Sequence, residues 1–131
     1  MDYQILVDEA FQASEKAYIP YSHFAVGACL LLKDGKKIHG CNIENAAYGS
    51  TMCAERNAVF QAYCQGYRKD DILALAIVAD CQPLISPCGA CRQVLSELMN
   101  PQTPIILGCK DFYQVTNIEK LMPLAFIGES L

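Results

Sequence analysis

Cysteines at positions 53, 88 and 91 and a glutamate at 55 are the residues of this chain whose types and spacing could do chemistry. They sit in two short runs, Cys53-Ala54-Glu55 and Pro87-Cys88-Gly89-Ala90-Cys91. Three thiolates can hold a Zn²⁺ ion and leave its fourth tetrahedral position to water. Either run alone is a weak signal. Together, each opening a stretch with helical patterning, they are a strong one. Cys88 and Cys91 are three residues apart, so a first helical turn sets both thiols on one side. Pro87 favours a helix start there, because its missing N–H costs little in a first turn. Cys53 lies at the start of the other helix, so two helix N-termini would converge on the metal. Free N–H groups and the positive end of the helix dipole both favour thiolate over thiol. Glu55 would then stand beside the water as a proton carrier.

The competing reading is a closed structural zinc knot, which wants four protein ligands. Neither His23 nor His39 has ligand spacing to the cysteines. Cys64 lies along the same helix as Cys53, about 16 Å from it at a rise of about 1.5 Å per residue. An open site is therefore expected. Three thiolates leave a net negative charge around the ion, which works against lowering the pKa of its water. A nearby cation would correct this. Arg56 and Arg92, each directly following a key residue, are the candidates.

The elements that must position these groups fit one domain over residues 1–131. A composition 53% hydrophobic and 18% charged excludes disorder. It is also apolar for a small monomer, and part of the surface is expected to be buried against other subunits. A net charge of −4 with no basic cluster disfavours a polynucleotide partner and points to a small ligand. The N-terminal residues show no secretory pattern, and no apolar stretch is long enough to span a membrane. A reducing, cytoplasmic compartment is the expectation. Of the eight cysteines, Cys29, Cys41, Cys64, Cys81 and Cys109 then read as small core fillers.

Apolar positions Ile5, Leu6, Ala10, Ala13 and Ala17 predict a helix over residues 2–18. Strands are predicted over 24–32 and 36–42, around a hairpin turn at Asp34-Gly35. A loop over 45–50 precedes a helix over 53–65, closed by Gly66. The unbroken apolar run 72–79 suits a central strand covered on both faces. A helix over 87–99, strands over 105–108 and 112–115, and a short helix near 118–121 complete the order. The expected fold is a three-layer α-β-α sandwich around a mixed five-stranded sheet. Its β-α-β-α-β portion should run parallel through right-handed crossovers.

Nearly the whole chain resembles the cytidine deaminases of the small homotetrameric kind. The likeness runs through Tyr21-Ser22-His23-Phe24-Ala25-Val26-Gly27-Ala28 and Gly40-Cys41-Asn42-Ile43-Glu44-Asn45-Ala46-Ala47-Tyr48. It continues through Cys53-Ala54-Glu55-Arg56, Ser86-Pro87-Cys88-Gly89-Ala90-Cys91-Arg92-Gln93 and Leu121-Met122-Pro123-Leu124-Ala125-Phe126. The zinc pattern is common to many deaminases; Asn42-x-Glu44-Asn45 narrows it to a free nucleoside. The resemblance implies that Cys53, Cys88 and Cys91 bind zinc, that Glu55 shuttles protons and that Arg56 offsets thiolate charge. It further implies that Asn42 and Glu44 hydrogen-bond the ribose, Phe24 packs on the pyrimidine and the Ala54 carbonyl holds the amino group. Tyr48 and Phe126 would complete sites on neighbouring subunits. A carboxylate and an amide suit sugar hydroxyls, and an aromatic ring suits a flat base. Two rivals stay open. One is deamination of another amine substrate, such as a nucleotide, a tRNA base or an aminonucleoside antibiotic. The other is a zinc-stabilised interaction module without catalysis.

Overall fold

Strand β3 (Ile72–Ala79) is the centre of the sheet because both its faces are apolar: only Leu73 is exposed along it. The computed structural model describes residues 2–80 and 84–131. β1 (Val26–Leu32) and β2 (Lys37–Cys41) lie on one side of β3, and β4 (Ile105–Gly108) and β5 (Tyr113–Thr116) on the other, in the order β2-β1-β3-β4-β5. β1 is antiparallel to both β2 and β3, β3 is parallel to β4, and β5 returns antiparallel. Strands β2, β3 and β4 therefore point the same way, as expected, but β1 is inserted between β2 and β3. Among the described strands, only β3 and β4 are direct parallel neighbours.

Alternation along the strands divides the core in two. Ala28, Leu30, Leu32, Leu75, Ile77, Ile105 and Leu107 face helices α2 (Ala54–Cys64), α3 (Gly89–Leu98) and the short α4 (Ile118–Leu121). Cys29, Ala74, Ala76, Val78 and Ile106 face helix α1 (Gln4–Ser14). This is the expected three-layer sandwich. Helix α1 is shorter than the predicted 2–18, and its buried stripe is Leu6, Val7, Ala10 and Ala13. Ile5 points outward, 58% exposed. Residues beyond Ser14 leave the helix so that Tyr18 can bridge to Ile43. Glu9 bonds His39 at 2.8 Å and Lys37 at 3.4 Å, pinning α1 to the edge strand β2. Behind them burial pushes the Cys29 thiol up to about 12.

Two glycines set how closely the helices approach. A β-carbon on Gly27 would stand 1.8 Å from the Ala10 carbonyl oxygen of α1. One on Gly40 would stand 2.4 Å from the Ala54 carbonyl oxygen and 2.8 Å from the Ala58 nitrogen of α2. Gly40 thus lets the first turn of α2 lie directly on β2. Cys29 and Cys109 are core fillers as expected. Cys41 is half-buried, and Cys64 is exposed because it ends α2 on the solvent side. Cys81 lies outside the described residues.

Gly40→Ala forces its methyl into backbone atoms that cannot swing aside. Overpacking of this kind costs about 1–3 kcal/mol. The variant should melt below the parent and bind zinc more weakly, since the displaced turn carries Cys53 and Glu55. Calorimetry with metal analysis checks both; unchanged melting and zinc content would contradict the close packing.

Candidate active site

Helices α2 and α3 begin at the same place over the sheet. Cys53 is the N-cap of α2 and Cys88 the N-cap of α3, both with extended backbone. The helix at Cys88 starts later than Pro87, since Cys88 keeps a non-helical ψ of 169°. Its sulfur accepts the Cys91 N–H at 3.4 Å, closing the first turn of α3. The sulfurs of Cys53 and Cys88 are 3.9 Å apart and those of Cys88 and Cys91 3.3 Å apart. All three ligand atoms lie within 4.8 Å of one another. Tetrahedral Zn–S bonds of about 2.3 Å put sulfurs about 3.8 Å apart, so the trio fits a zinc ion with small adjustments. No fourth His, Cys, Asp or Glu joins it among the described residues. Cys91 is buried, Cys53 half-buried and Cys88 exposed, so one side of the trio faces outward.

The electrostatics separate the two kinds of acid in this site. A hydrogen bond from the Cys91 thiol, followed by contacts with Arg56 and Cys88, holds Cys53 down to about 5. That same bond and burial push Cys91 up. Arg56 Nη2 donates to Cys53 Sγ at 3.5 Å, which places a guanidinium beside the thiol cluster. Arg92 is turned elsewhere. It donates to the Pro87 carbonyl at 2.7 Å, the Leu121 carbonyl at 2.6 Å and the Ser86 hydroxyl at 2.8 Å. Arg92 therefore braces the loop that carries Cys88. Glu55 is only 4% exposed, and burial raises its carboxyl to about 6.

Phe24, Asn42, Ala54 and Glu55 line one pocket with Cys53 and Cys88, about 220 Å³ in volume. Val26, Thr51, Ile85 and Ser86 complete its walls. Asn42 is buried. Its Oδ1 accepts from Val26 N at 3.0 Å and its Nδ2 donates to the Phe24 carbonyl at 2.8 Å. An amide has two donors and two acceptor sites, so one N–H remains for a ligand. Ala54 differs from the expectation. Carbonyls of a helix point toward its C-terminus and first-turn N–H groups toward its N-terminus. The Ala54 carbonyl lies against Gly40, so the group this residue turns toward the thiols is its N–H, not its C=O.

Glu44 and Tyr48 line an adjoining hollow with Tyr21 and Ser22, and Thr51 is shared by both. Tyr48 is 74% exposed, with its ring edge-on to Tyr21 at 6.0 Å between centroids. Phe126 is not brought to the pocket of its own chain. Its carbonyl accepts from Gln93 on α3 at 2.9 Å while the residue is 58% exposed. Residues lining these hollows that sequence reasoning did not single out are Tyr21, Ser22, Val26, Thr51, Ile85 and Ser86. Of these, Tyr21, Ser22, Val26 and Ser86 stand inside the quoted motifs; nothing in the local sequence marks Thr51 and Ile85.

Residues 1–107 match the zinc-binding region of cytidine and deoxycytidylate deaminases. The chain belongs to that family. It is 52% identical to the cytidine deaminase of Halalkalibacterium halodurans, over 100% of this chain and 98% of the relative. Against the cytidine deaminase crystal structure from Burkholderia pseudomallei the TM-score is 0.92 at 47% identity, covering 96% of this chain and 100% of the other. The Mycobacterium tuberculosis cytidine deaminase structure gives 0.81 at 39% identity, over 96% and 98%. Family, fold and zinc chemistry agree with the thiol cluster described above.

A carboxyl whose folded pKa is raised from 4.5 to about 6 is at ease while protonated and opposes folding once ionised. Its favourable contribution is complete below about pH 4.5 and is lost as pH rises through about 6. Glu55→Gln stays neutral throughout. Its stability relative to the parent should therefore grow from pH 5 to pH 8, by at most about 2 kcal/mol. Paired urea unfolding curves of the metal-free proteins at both pH values measure this. A pH-independent difference would contradict a buried ionisable carboxyl.

Proposed function

We propose that the chain is a hydrolase that converts cytidine and deoxycytidine, with water, to uridine and deoxyuridine with release of ammonia. The observation that carries this reading is one pocket lined by two cysteines of an open three-thiol cluster, a buried carboxyl titrating near 6, and an aromatic ring. Cys53, Cys88 and Cys91 would hold zinc, which when bound would supply the Lewis acid that lets water act as a nucleophile at neutral pH. Arg56 offsets the charge of the thiolates from beside Cys53.

Glu55 takes a proton from the attacking water and gives one to ring N3, which makes C4 electrophilic. The C4–O bond forms, Glu55 takes the remaining proton from the new C4 hydroxyl to the amino group, and the C4–N bond breaks to release ammonia as C4=O forms. Burial holds the Glu55 carboxyl above the usual carboxylate range, which suits a group that must both accept and donate a proton. Phe24 packs on the base. The Ala54 N–H, a donor, suits the carbonyl of the pyrimidine, in place of the carbonyl-to-amine contact that the resemblance implies. Asn42 offers its spare N–H and Glu44 a carboxylate to the sugar. Glu44 also repels a phosphate, and with the net charge of −4 it favours a free nucleoside over a nucleotide or nucleic acid.

The site is shared in a homotetramer on this reading. A pocket of about 220 Å³ is smaller than the roughly 300–1,000 Å³ of complete small-molecule sites. Tyr48, Leu124 and Phe126 are exposed and available to a neighbouring copy. A cytoplasmic role in pyrimidine salvage accords with cysteines that are all free among the described residues. No helix is long and apolar enough to cross a membrane among the residues described.

Glu55→Gln should keep its zinc and lose at least about 10²–10⁴ in kcat, the range for a positioned acid/base. Loss of the cytidine absorbance band is the assay. Cytidine monophosphate should not turn over in the parent; equal activity on it would move the assignment to a nucleotide deaminase. Removal of residues 124–131 should raise KM for cytidine more than it lowers zinc content, and should loosen the assembly in light scattering. A fully active monomer would rule out the shared site.

A further inference from the structure

Residues 19–24 form a tight turn beside the pocket, and its geometry is unusual. His23 has a φ of 58°, a conformation that residues with a side chain rarely adopt. Its N–H reaches back to the Ile19 carbonyl at 3.1 Å. Strain of this kind persists only where the surroundings over-determine it. Glu44 supplies that determination. Its Oε1 accepts the N–H groups of Tyr21 at 3.2 Å and Ser22 at 3.1 Å, and its Oε2 accepts the Ser22 hydroxyl. The Ser22 oxygen also accepts the Phe24 N–H at 3.0 Å. One hydroxyl therefore links the carboxylate facing the outer hollow to the backbone of the aromatic residue in the pocket. Asn42 holds the other side of Phe24 through its carbonyl.

An ionised carboxylate offers about four acceptor sites. Three are taken here, two on Oε1 and one on Oε2, which leaves one on Oε2. We propose that Ser22 is a positioning residue for the sugar: its hydroxyl fixes Glu44 so that a single acceptor site remains, aimed at one sugar hydroxyl, in register with the base on Phe24. This rests on the reading that Glu44 meets the sugar of a nucleoside. The Glu44 carboxyl is held below the usual carboxylate range, first by the Ser22 hydroxyl, so it stays an acceptor through neutral pH.

The test compares cytidine with 2′,3′-dideoxycytidine, which lacks both hydroxyls that Glu44 could accept. Ser22→Ala should raise KM for cytidine about tenfold, the size of one hydrogen bond to a charged group. Its kcat should stay within about twofold. KM for dideoxycytidine should move little, and Ser22→Thr, which keeps the hydroxyl, should restore cytidine binding. Equal KM increases for both nucleosides would show that Ser22 merely shapes the turn under Phe24, and no increase would show that Glu44 needs no tether; either overturns the proposal. Glu44→Gln is run alongside. If it leaves the preference for cytidine over dideoxycytidine intact, the sugar contact itself is wrong and the proposal falls with it. If Glu44→Gln abolishes the preference while Ser22→Ala does not touch it, only the Ser22 assignment fails.

Discussion

Three sulfur atoms that carry negative charge when they bind metal have to be held within a few ångströms of one another, and the rest of the structure answers that requirement. Like charges this close repel strongly in a partly buried setting. The fold meets this with two helix N-termini aimed at one point and a guanidinium on Cys53. The sheet makes the convergence possible. β2 and β3, the strands that precede the two helices, point the same way because each is antiparallel to β1, so the chain entering α2 and the chain entering α3 arrive from the same direction on the same face. Gly40 then removes the methyl that would hold α2 away from β2.

The same closeness explains how two kinds of acid coexist. Glu55 follows Cys53 by two residues, yet it is driven the opposite way in pKa. Cys53 is held anionic by donors, whereas Glu55 is buried and feels the Cys53 charge as a further penalty. The result is a metal-binding set of thiolates next to a carboxyl that can hold or release a proton near neutrality. Arg92, beside Cys91 in sequence, contributes by bracing the Pro87 and Leu121 backbone rather than by charge.

Much of this was legible in the sequence because it is local. The spacing of Cys88 and Cys91, the helix starts at Cys53 and near Pro87, and the continuous apolar run of β3 are all decided within a few residues. The order of strands was less so. The insertion of β1 between β2 and β3 depends on pairing between residues such as Gly27 and Val78, which no local pattern records. The side-chain assignments diverged for the same reason. Asn42 spends half its amide on the Phe24–Val26 backbone, and Glu44 meets Ser22 across a gap of twenty-two residues. Arg56 and Arg92 look equivalent in sequence, but a helix sends one toward the thiols and the other toward the loop. Ala54 was assigned through its carbonyl, while helix geometry turns its N–H toward the site.

The central claim is an open zinc site with three thiolate ligands and one exchangeable position. Zinc K-edge X-ray absorption on the isolated protein tests it most directly. The account predicts three sulfurs at about 2.3 Å and one oxygen or nitrogen at about 2.0 Å. A shell of four sulfurs would mean a closed structural knot, and would contradict the claim that this zinc activates water.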